Sequence, residues 1–307
     1  MHAANASTTP ARRSARLGPA TAGLLLAPLL LALAAALPAA ATQADAPTAV
    51  IEVRQADLDA DHWIAQLPEP DRLILDRAGI AAQNSRMRAQ DKSIHDLAAL
   101  PDPAPRAFVR EQVQALSAPP TRALFDVQGK PVPKKTLDAL QQAIALDAIP
   151  ETQPLRYGLV VHRAALRTFP TSLRVFSSAG DTDIDRFQES ALFPGDAVAV
   201  LHRSADGQWL FVASERYVAW IEAAHVAVGD RDTVLGYARR TPYVVVTGAT
   251  VRTTYTPEEP RVSALQLDMG VRLPLRADWP PMQAVNGQHP YASHVVDLPV
   301  RNADGSL

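Results

Sequence analysis

The spacing of hydrophobic residues along the chain changes near Pro154. Before this point, apolar residues recur every three to four positions in short runs, which is typical of helices that pack along one face. Prolines end these runs, and the predicted helices cover residues 61–64, 71–75, 93–100, 105–116 and 136–146. Because isolated helices of this length are marginal in water, we expect them to form a cap on another element.

After Pro154 the apolar residues alternate with polar ones or form short runs rich in valine, which indicates β-strands. Asp206-Gly207 lies between two such runs, and this dipeptide is a strong hairpin signal. Strands are predicted at residues 157–161, 196–203, 208–213, 217–221 and 224–228. Short strands at this density predict a small closed barrel.

The alternating pattern begins again near Thr241, which predicts a second β unit over residues 241–307. Its strands are expected at residues 243–247, 251–255, 262–267, 271–275 and 295–301. Asn302-Ala303-Asp304-Gly305 has the composition of a hairpin turn, and only two residues follow it. We therefore expect this unit to be a truncated piece of a longer polypeptide, and a frayed polar C-terminus is the alternative.

Residues 1–41 have the three-part pattern of a secretory signal peptide. Arginines open the segment, a charge-free apolar run covers residues 23–36, and Ala39-Ala40-Ala41 supplies small residues at the spacing that a signal peptidase requires. We expect cleavage after Ala41 and a secreted or periplasmic protein; an uncleaved membrane anchor is the alternative. Residues 42–50 are small and polar and are predicted to form a linker.

The amino-acid composition argues against several classes of function. The chain has 30 basic and 32 acidic residues and a formal charge of −2, so it lacks the basic excess that nucleic-acid binding normally needs. Loss of residues 1–41 would remove three arginines and make the chain more acidic. The sequence contains no cysteine, which excludes disulfides, thiolate metal ligands and a cysteine nucleophile.

Other catalytic and metal motifs are missing from the sequence. No Gly-x-Ser-x-Gly or Gly-x-Gly pattern occurs among the 14 glycines. Asp181, Asp183 and Asp185 alternate as in a calcium loop, but the glycine and glutamate of an EF-hand are absent, so a solvated acidic loop is the preferred interpretation. The spacing of His289 and His294 is poor for a zinc pair. We therefore predict no catalytic residue, metal site or cofactor.

Two tryptophans are candidates for ligand contact. Trp209 follows the Asp-Gly turn, and Trp220 ends a predicted strand. Large aromatic residues dominate small cores, so the barrel core is the simplest place for both. In the alternative interpretation, one or both line a groove that holds a sugar ring or a peptide.

A family resemblance appears in residues 157–221, which resemble the bacterial SH3-like (SH3b1-type) domain of NlpC/P60 peptidoglycan endopeptidases. The runs that carry it are YGLVV (157–161), LRTFPT (166–171), DIDRFQE (183–189), LFPG (192–195), VLHRSADGQWLFV (200–212) and YVAW (217–220). The preceding run, with Trp63-Ile64 and Gln83-Asn84, is similar to the helical stabilising segment of that family.

The resemblance implies a mainly β fold with an N-terminal α-helical cap and SH3-like small barrels. It divides the chain into a helical stabilising segment (51–153), an SH3b1-type domain (154–230) and a second SH3-like unit (241–307). In that family a papain-like domain with a Cys–His pair follows and cleaves the γ-D-glutamyl–diaminopimelate bond of stem peptides. A chain without cysteine cannot carry that activity.

The resemblance therefore implies an exported module that binds or positions peptidoglycan stem peptides for a catalytic domain and does no chemistry itself. Two alternatives stay open: an incomplete fragment of an active cysteine peptidase, and a periplasmic protein–protein adaptor.

In the family, the SH3b domain helps recognise the free amino end of the stem peptide. Glu189 and Tyr217 suit that role, because a carboxylate pairs with an ammonium group and a ring packs a small side chain. Alternatively, Glu189 is a surface charge beside the turn at residues 193–195.

Overall fold

The computed structural model describes residues 2–6, 50–91 and 93–307, with only the backbone of residues 2–6. The predicted signal peptide and linker lie outside the described residues, apart from residues 2–6 and Val50. Within the described part of the chain, no helix has both the length and the apolar character needed to cross a bilayer.

Five α-helices occur in the described residues: α1 (Ala60–Ile64), α2 (Arg77–Gln90), α3 (Arg106–Leu116), α4 (Lys134–Ala143) and α5 (Arg231–Tyr237). The prediction of a helix at residues 71–75 is wrong, because this stretch follows Pro68 and Pro70 and the helix begins only at Arg77. The helix predicted at residues 93–100 is reduced to a 3-10 turn, Leu97–Ala99. Four further 3-10 turns cover Gln55–Leu58, Leu146–Ala148, Ala223–His225 and Pro260–Val262.

The strands are β1 (His2–Ala6), β2 (Ala104–Pro105), β3 (Thr152–Gln153), β4 (Arg156–Val160), β5 (Ala164–Arg167), β6 (Gln188–Leu192), β7 (Ala197–Arg203), β8 (Trp209–Ser214), β9 (Val218–Glu222), β10 (Val226–Gly229), β11 (Tyr243–Val245), β12 (Thr250–Arg252), β13 (Gln266–Asp268), β14 (Arg272–Pro274) and β15 (His294–Leu298). The pattern of alternating and valine-rich runs therefore predicts β4 and β7 to β15, but not β1, β2, β3, β5 and β6, which are short or contain few large apolar residues.

Seven strands form one antiparallel sheet in the order β10-β4-β7-β8-β9-β5-β6. Leu192 and Val226 come from the two outermost strands of this order, yet both belong to the same buried cluster. The sheet must therefore coil around that cluster, as a small barrel does. The β7–β8 hairpin closes through the predicted Asp206-Gly207 turn, with Gly207 at φ +70°.

The outer face of the sheet is also buried. Val109 and Val113 of α3 and Leu140 of α4 form one core with Phe211 and Trp220 of the sheet. All six residues of β8 are therefore buried, because this strand is covered on both faces. The structure confirms the predicted fold class, which is mainly β with a helical cap.

The second β unit is built from short strand pairs, β11 with β14 and β12 with β13. Val262 and Leu267 are fully buried at its centre, in a cluster that also contains Val296 of β15. β15 pairs with β1, and the bridge between Leu275 and Val296 joins it to the end of β14.

Helix α5 and the last seven residues connect the two β units. Asp230 caps α5 by accepting a hydrogen bond from the Thr233 amide, and the buried Tyr237 donates its hydroxyl to the Asp297 carbonyl at 2.7 Å. The predicted turn at residues 302–305 forms, and the residues after it pair with β10. Val228 donates its amide to Gly305 and accepts one from Leu307, at 2.9 and 2.8 Å.

Candidate functional site

Glu189 lies on a β-bulge at the edge of the barrel. Leu166 pairs with Ser190 and Arg167 pairs with Gln188, so Glu189 is an extra residue without a partner in the β5–β6 ladder. Bulges of this kind redirect a side chain out of the regular alternation and are frequent beside binding and active sites. Here the bulge directs the carboxylate of Glu189 toward hydroxyl groups from two other segments of the barrel.

Thr168 and Tyr217 each hold one oxygen of that carboxylate. The Thr168 hydroxyl donates to Oε1 at 2.5 Å, and the Tyr217 hydroxyl donates to Oε2 at 2.5 Å. All three side chains are half-buried. Tyr217 is fixed by a tight turn in which the Ser214 hydroxyl accepts its amide at 3.0 Å. The two residues chosen from sequence are therefore in direct contact, and Thr168 is a third member that the sequence did not indicate.

The electrostatics of this cluster keep the phenol protonated. The hydrogen bond to Glu189 is the main cause that raises the pKa of Tyr217 to about 12, and burial and the charge of Glu189 act in the same direction. Tyr217 therefore stays a neutral donor at physiological pH, and the negative charge stays on the carboxylate. A carboxylate has about four lone-pair sites, so two donors leave it able to accept from an ammonium group.

A buried ion pair lies next to the bulge, because Arg167, which pairs with Gln188 in the β5–β6 ladder, also contacts Asp185. Arg167 donates to Asp185 at 2.6 Å, and the side chain of Asp185 is 9% exposed. The other oxygen of Asp185 accepts the amides of Val175 and Phe187, at 3.2 and 3.0 Å. The interpretation of the acidic run as solvated is therefore wrong for Asp185, although Asp181 and Asp183 are exposed. Its partner lies 18 residues earlier, too far along the chain to be inferred from local spacing.

The two tryptophans occupy different places. Trp220 is 0% exposed, packs against Phe211 at 5.2 Å between ring centroids and donates its indole N–H to the Ser117 hydroxyl at 3.0 Å. It is a core residue and not part of a groove, because no ligand can reach its ring. Trp209 is 8% exposed and borders an open cleft of about 520 Å³ that Asp185, Gln188 and Glu222 also line.

The side chains that could bind a metal ion do not form a metal site in the described part of the chain. Among the described residues, no three His, Asp or Glu side chains are placed to hold one ion. His162 and His225 approach each other at 6.1 Å between ring centroids, and burial lowers the pKa of His162. Of the residues chosen from sequence, Glu189 and Tyr217 therefore form one cluster, and Trp209 borders a cleft that they do not line.

Comparisons with known proteins agree with this fold. Residues 174–222 match the family described as SH3 domain (SH3b1 type), a range that contains Glu189, Trp209, Tyr217 and Trp220. A search of curated proteins finds no match to the chain.

Several solved structures are similar. One is described as a novel NlpC/P60 endopeptidase from Photobacterium damselae subsp. piscicida, with a TM-score of 0.57 and 19% identity. The match covers 77% of this chain and 51% of that one, so this chain spans about half of its relative's length. The chain thus contains an SH3 domain of the SH3b1 type, within a fold that it shares with an NlpC/P60 endopeptidase.

Proposed function

We propose that this chain is an exported, non-catalytic module of an NlpC/P60-type peptidoglycan endopeptidase, which binds stem peptides and positions them for a catalytic domain. The observation that carries the proposal is the contact of Glu189 with Tyr217 and Thr168 inside the segment that matches the SH3b1-type family. Export rests on the signal-peptide pattern of residues 1–41.

The proposed ligand group is the free amino end of a stem peptide. Its ammonium group would accept no hydrogen bond but can donate three, and the Glu189 carboxylate is the negative acceptor that the site offers. The ring of Tyr217 is half-buried beside this carboxylate, to which its hydroxyl donates, and the backbone of Tyr217 forms two hydrogen bonds with the Ser214 hydroxyl. The ring can therefore pack against the small first side chain without being reordered.

The catalytic step belongs to a separate domain in this proposal. The sequence has no cysteine, so the nucleophile of a papain-like reaction has to come from another polypeptide segment. The solved relative extends well beyond the part that this chain covers, which supports a modular arrangement of this kind.

Calorimetric titration with a stem peptide that carries a free N-terminal alanine tests the proposal. Glu189→Gln is expected to weaken binding about 10- to 100-fold, because a charge-assisted hydrogen bond contributes about 1.5–3 kcal/mol. Tyr217→Phe should weaken binding less, since the carboxylate remains. N-acetylation of the peptide should have an effect similar to Glu189→Gln, because it removes the ammonium charge.

Glu151→Gln is the matched control, since this carboxylate is 82% exposed and lies outside the site. Sedimentation of the protein with purified murein sacculi distinguishes a wall-binding module from a protein adaptor. Unchanged affinity in both Glu189→Gln and Tyr217→Phe would contradict the proposed site. Failure to sediment with sacculi would favour the adaptor function.

A further inference from the structure

A second cleft lies at the other end of the strand order from Glu189. It is bordered by β4, β7, β8 and β10 and by the C-terminal turn, and its volume is about 230 Å³. Arg156, Arg203 and Arg301 line it together with a single acidic residue, Asp304. The lining thus has a net charge of +2 in a chain whose formal charge is −2.

None of these three guanidinium groups forms an ion pair with a carboxylate of the described residues, whereas Arg216 and Arg240 pair with Asp196 and Asp297. Asp304 is already engaged, because its carboxylate accepts the amide and the hydroxyl of Ser306 at 2.9 and 2.7 Å. The positive charge of the cleft is therefore available to an external anion.

Arg301 is held in place by the protein backbone. Its Nε donates to the Val226 carbonyl at 3.1 Å and its Nη1 to the Asn302 carbonyl at 3.5 Å, so the guanidinium group is held between β10 and the turn that lines the cleft. Gly305 makes this placement possible: it has φ +88°, and a Cβ atom there would lie 2.9 Å from Nη2 of Arg301. The position of the Arg301 side chain therefore depends on Gly305 and on the pairing of the C-terminal turn with β10.

The floor of the cleft is apolar. Val228 is half-buried and Ala223 is 8% exposed, so these two side chains offer the apolar contact surface, while the lining residues Leu210 and Val226 are almost fully buried. Drug-sized ligands occupy clefts of about 300–1,000 Å³, so a cleft of this volume suits roughly one or two small residues of a peptide. Arginine binds planar carboxylates through two parallel hydrogen bonds, and an apolar floor suits a short aliphatic side chain. An inorganic phosphate would leave that floor uncovered.

We propose that this cleft binds the free carboxylate end of a short peptide, with the guanidinium groups of Arg156, Arg203 and Arg301 around the carboxylate and a small apolar side chain on Val228 and Ala223. The inference rests on the proposed function, because a stem peptide supplies such an end. In this proposal the protein has two sites for stem peptides: Glu189 binds an amino end, and the arginine cleft binds a carboxylate end.

The test uses N-acetyl-D-alanyl-D-alanine as the free acid, with its C-terminal amide and inorganic phosphate as comparison probes. The acetyl group removes the amine, so binding of this probe does not report on Glu189. In titrations followed by amide chemical shifts, the acid should perturb the signals of Val226, Val228 and Gly305, and the amide should bind at least tenfold more weakly.

Arg156→Gln, Arg203→Gln and Arg301→Gln should each weaken binding of the acid, and the largest loss is expected for Arg301, which the backbone orients. Arg122→Gln is the matched control, because Arg122 is an exposed arginine outside the cleft. Arg156→Lys keeps the charge but loses the paired geometry, so its affinity should lie between those of the parent protein and Arg156→Gln. A thermal melt of each variant separates lost binding from lost folding.

Equal binding of the acid and the amide, parent-like affinity in all three glutamine variants, or tighter binding of phosphate than of the acid would overturn the proposal. Glu189→Gln should leave binding of the acetylated probe unchanged, and loss of binding in that variant would place the probe at the other site. The two proposals can therefore fail separately, since only the peptide with a free amine reports on Glu189.

Discussion

The first barrel and the helical region at residues 50–90 bury their apolar residues to very different extents. Every residue of β8 is buried, whereas none of the 5 residues of α1 or the 14 of α2 is. Ile51 and Ile74 are 89% and 82% exposed. The comparison shows that helix length does not decide burial, because α2 is the longest of the described helices and has no buried residue.

The difference follows from sequence patterning. α3 and α4 have apolar residues at helical spacing, and Val109, Val113 and Leu140 meet the sheet. α2 has only Ile80 and Met87 as large apolar residues, seven positions apart, and both are exposed. An exposed apolar surface of this kind often marks an interaction site. Substitutions in the two regions should therefore differ sharply in their cost.

The largest effect is expected for Trp220→Ala in the barrel. The side chain is fully buried between the sheet and α3, and its removal leaves a cavity and takes away the indole N–H that donates to the Ser117 hydroxyl. The free energy of unfolding should fall by about 3–5 kcal/mol. Chemical denaturation followed by far-UV circular dichroism measures this change; a loss below about 1 kcal/mol would show that the barrel core repacks without cost.

A smaller effect is expected for Gly195→Ala, at the junction of the barrel with α5. Gly195 has φ +93°, and a Cβ atom would lie 2.6 Å from Cε1 of Tyr237. The added methyl group must displace this buried ring, so we expect a loss of about 1–3 kcal/mol. Gly180→Ala is the control, because Gly180 has φ +82° but nothing within 4 Å of the added atom. Equal losses in both variants would show that backbone strain, and not the contact with Tyr237, causes the fall in the free energy of unfolding.

Acidification should weaken the barrel more moderately. Burial lowers the pKa of His202, which is 8% exposed and hydrogen-bonded to the Ile144 carbonyl at 3.0 Å. The unfolded chain therefore binds this proton at a higher pH than the folded one, so the stability is present above the ordinary histidine pKa of about 6.5 and is lost as the pH falls below it.

Thermal melts between pH 7 and pH 5 measure this loss. The decrease in melting temperature should be smaller in His202→Gln than in the parent protein, but still present, because burial also lowers the pKa of His95 and His162. An identical pH dependence in both proteins would show that His202 does not contribute.

The smallest effect is expected for Ile80→Ser in α2. Ile80 is 49% exposed, and surface substitutions usually change stability by less than about 0.5 kcal/mol. The same denaturation measurement as for Trp220→Ala gives the comparison directly. A loss above about 2 kcal/mol would mean that this face is buried in solution, and the contrast between the two regions would then disappear.

The extent of successful prediction follows the same division. Five of the seven barrel strands could be predicted, because valine-rich alternation and an Asp-Gly turn are local signals. Glu189 and Tyr217 are chosen from the family resemblance, and the structure shows that their side chains are in contact, while their role in binding stays a prediction. Asp185 could not be assigned, since its role depends on Arg167 across a long loop. The cleft of Arg156, Arg203 and Arg301 could not be predicted either, because docking of the C-terminal turn on β10 brings together residues far apart in sequence.

Helix α5 determines how the two β units behave under force or proteolysis. Val234 and Tyr237 are buried, Tyr237 donates to the Asp297 carbonyl, and Arg240 pairs with the Asp297 carboxylate. The helical part of the connection is therefore packed and not a free tether, so proteolysis should spare Arg231–Tyr237, whereas residues 238–242 are mostly exposed and lie outside helices and strands. Under the proposed function, the two β units would therefore hold a bound stem peptide at a fixed spacing.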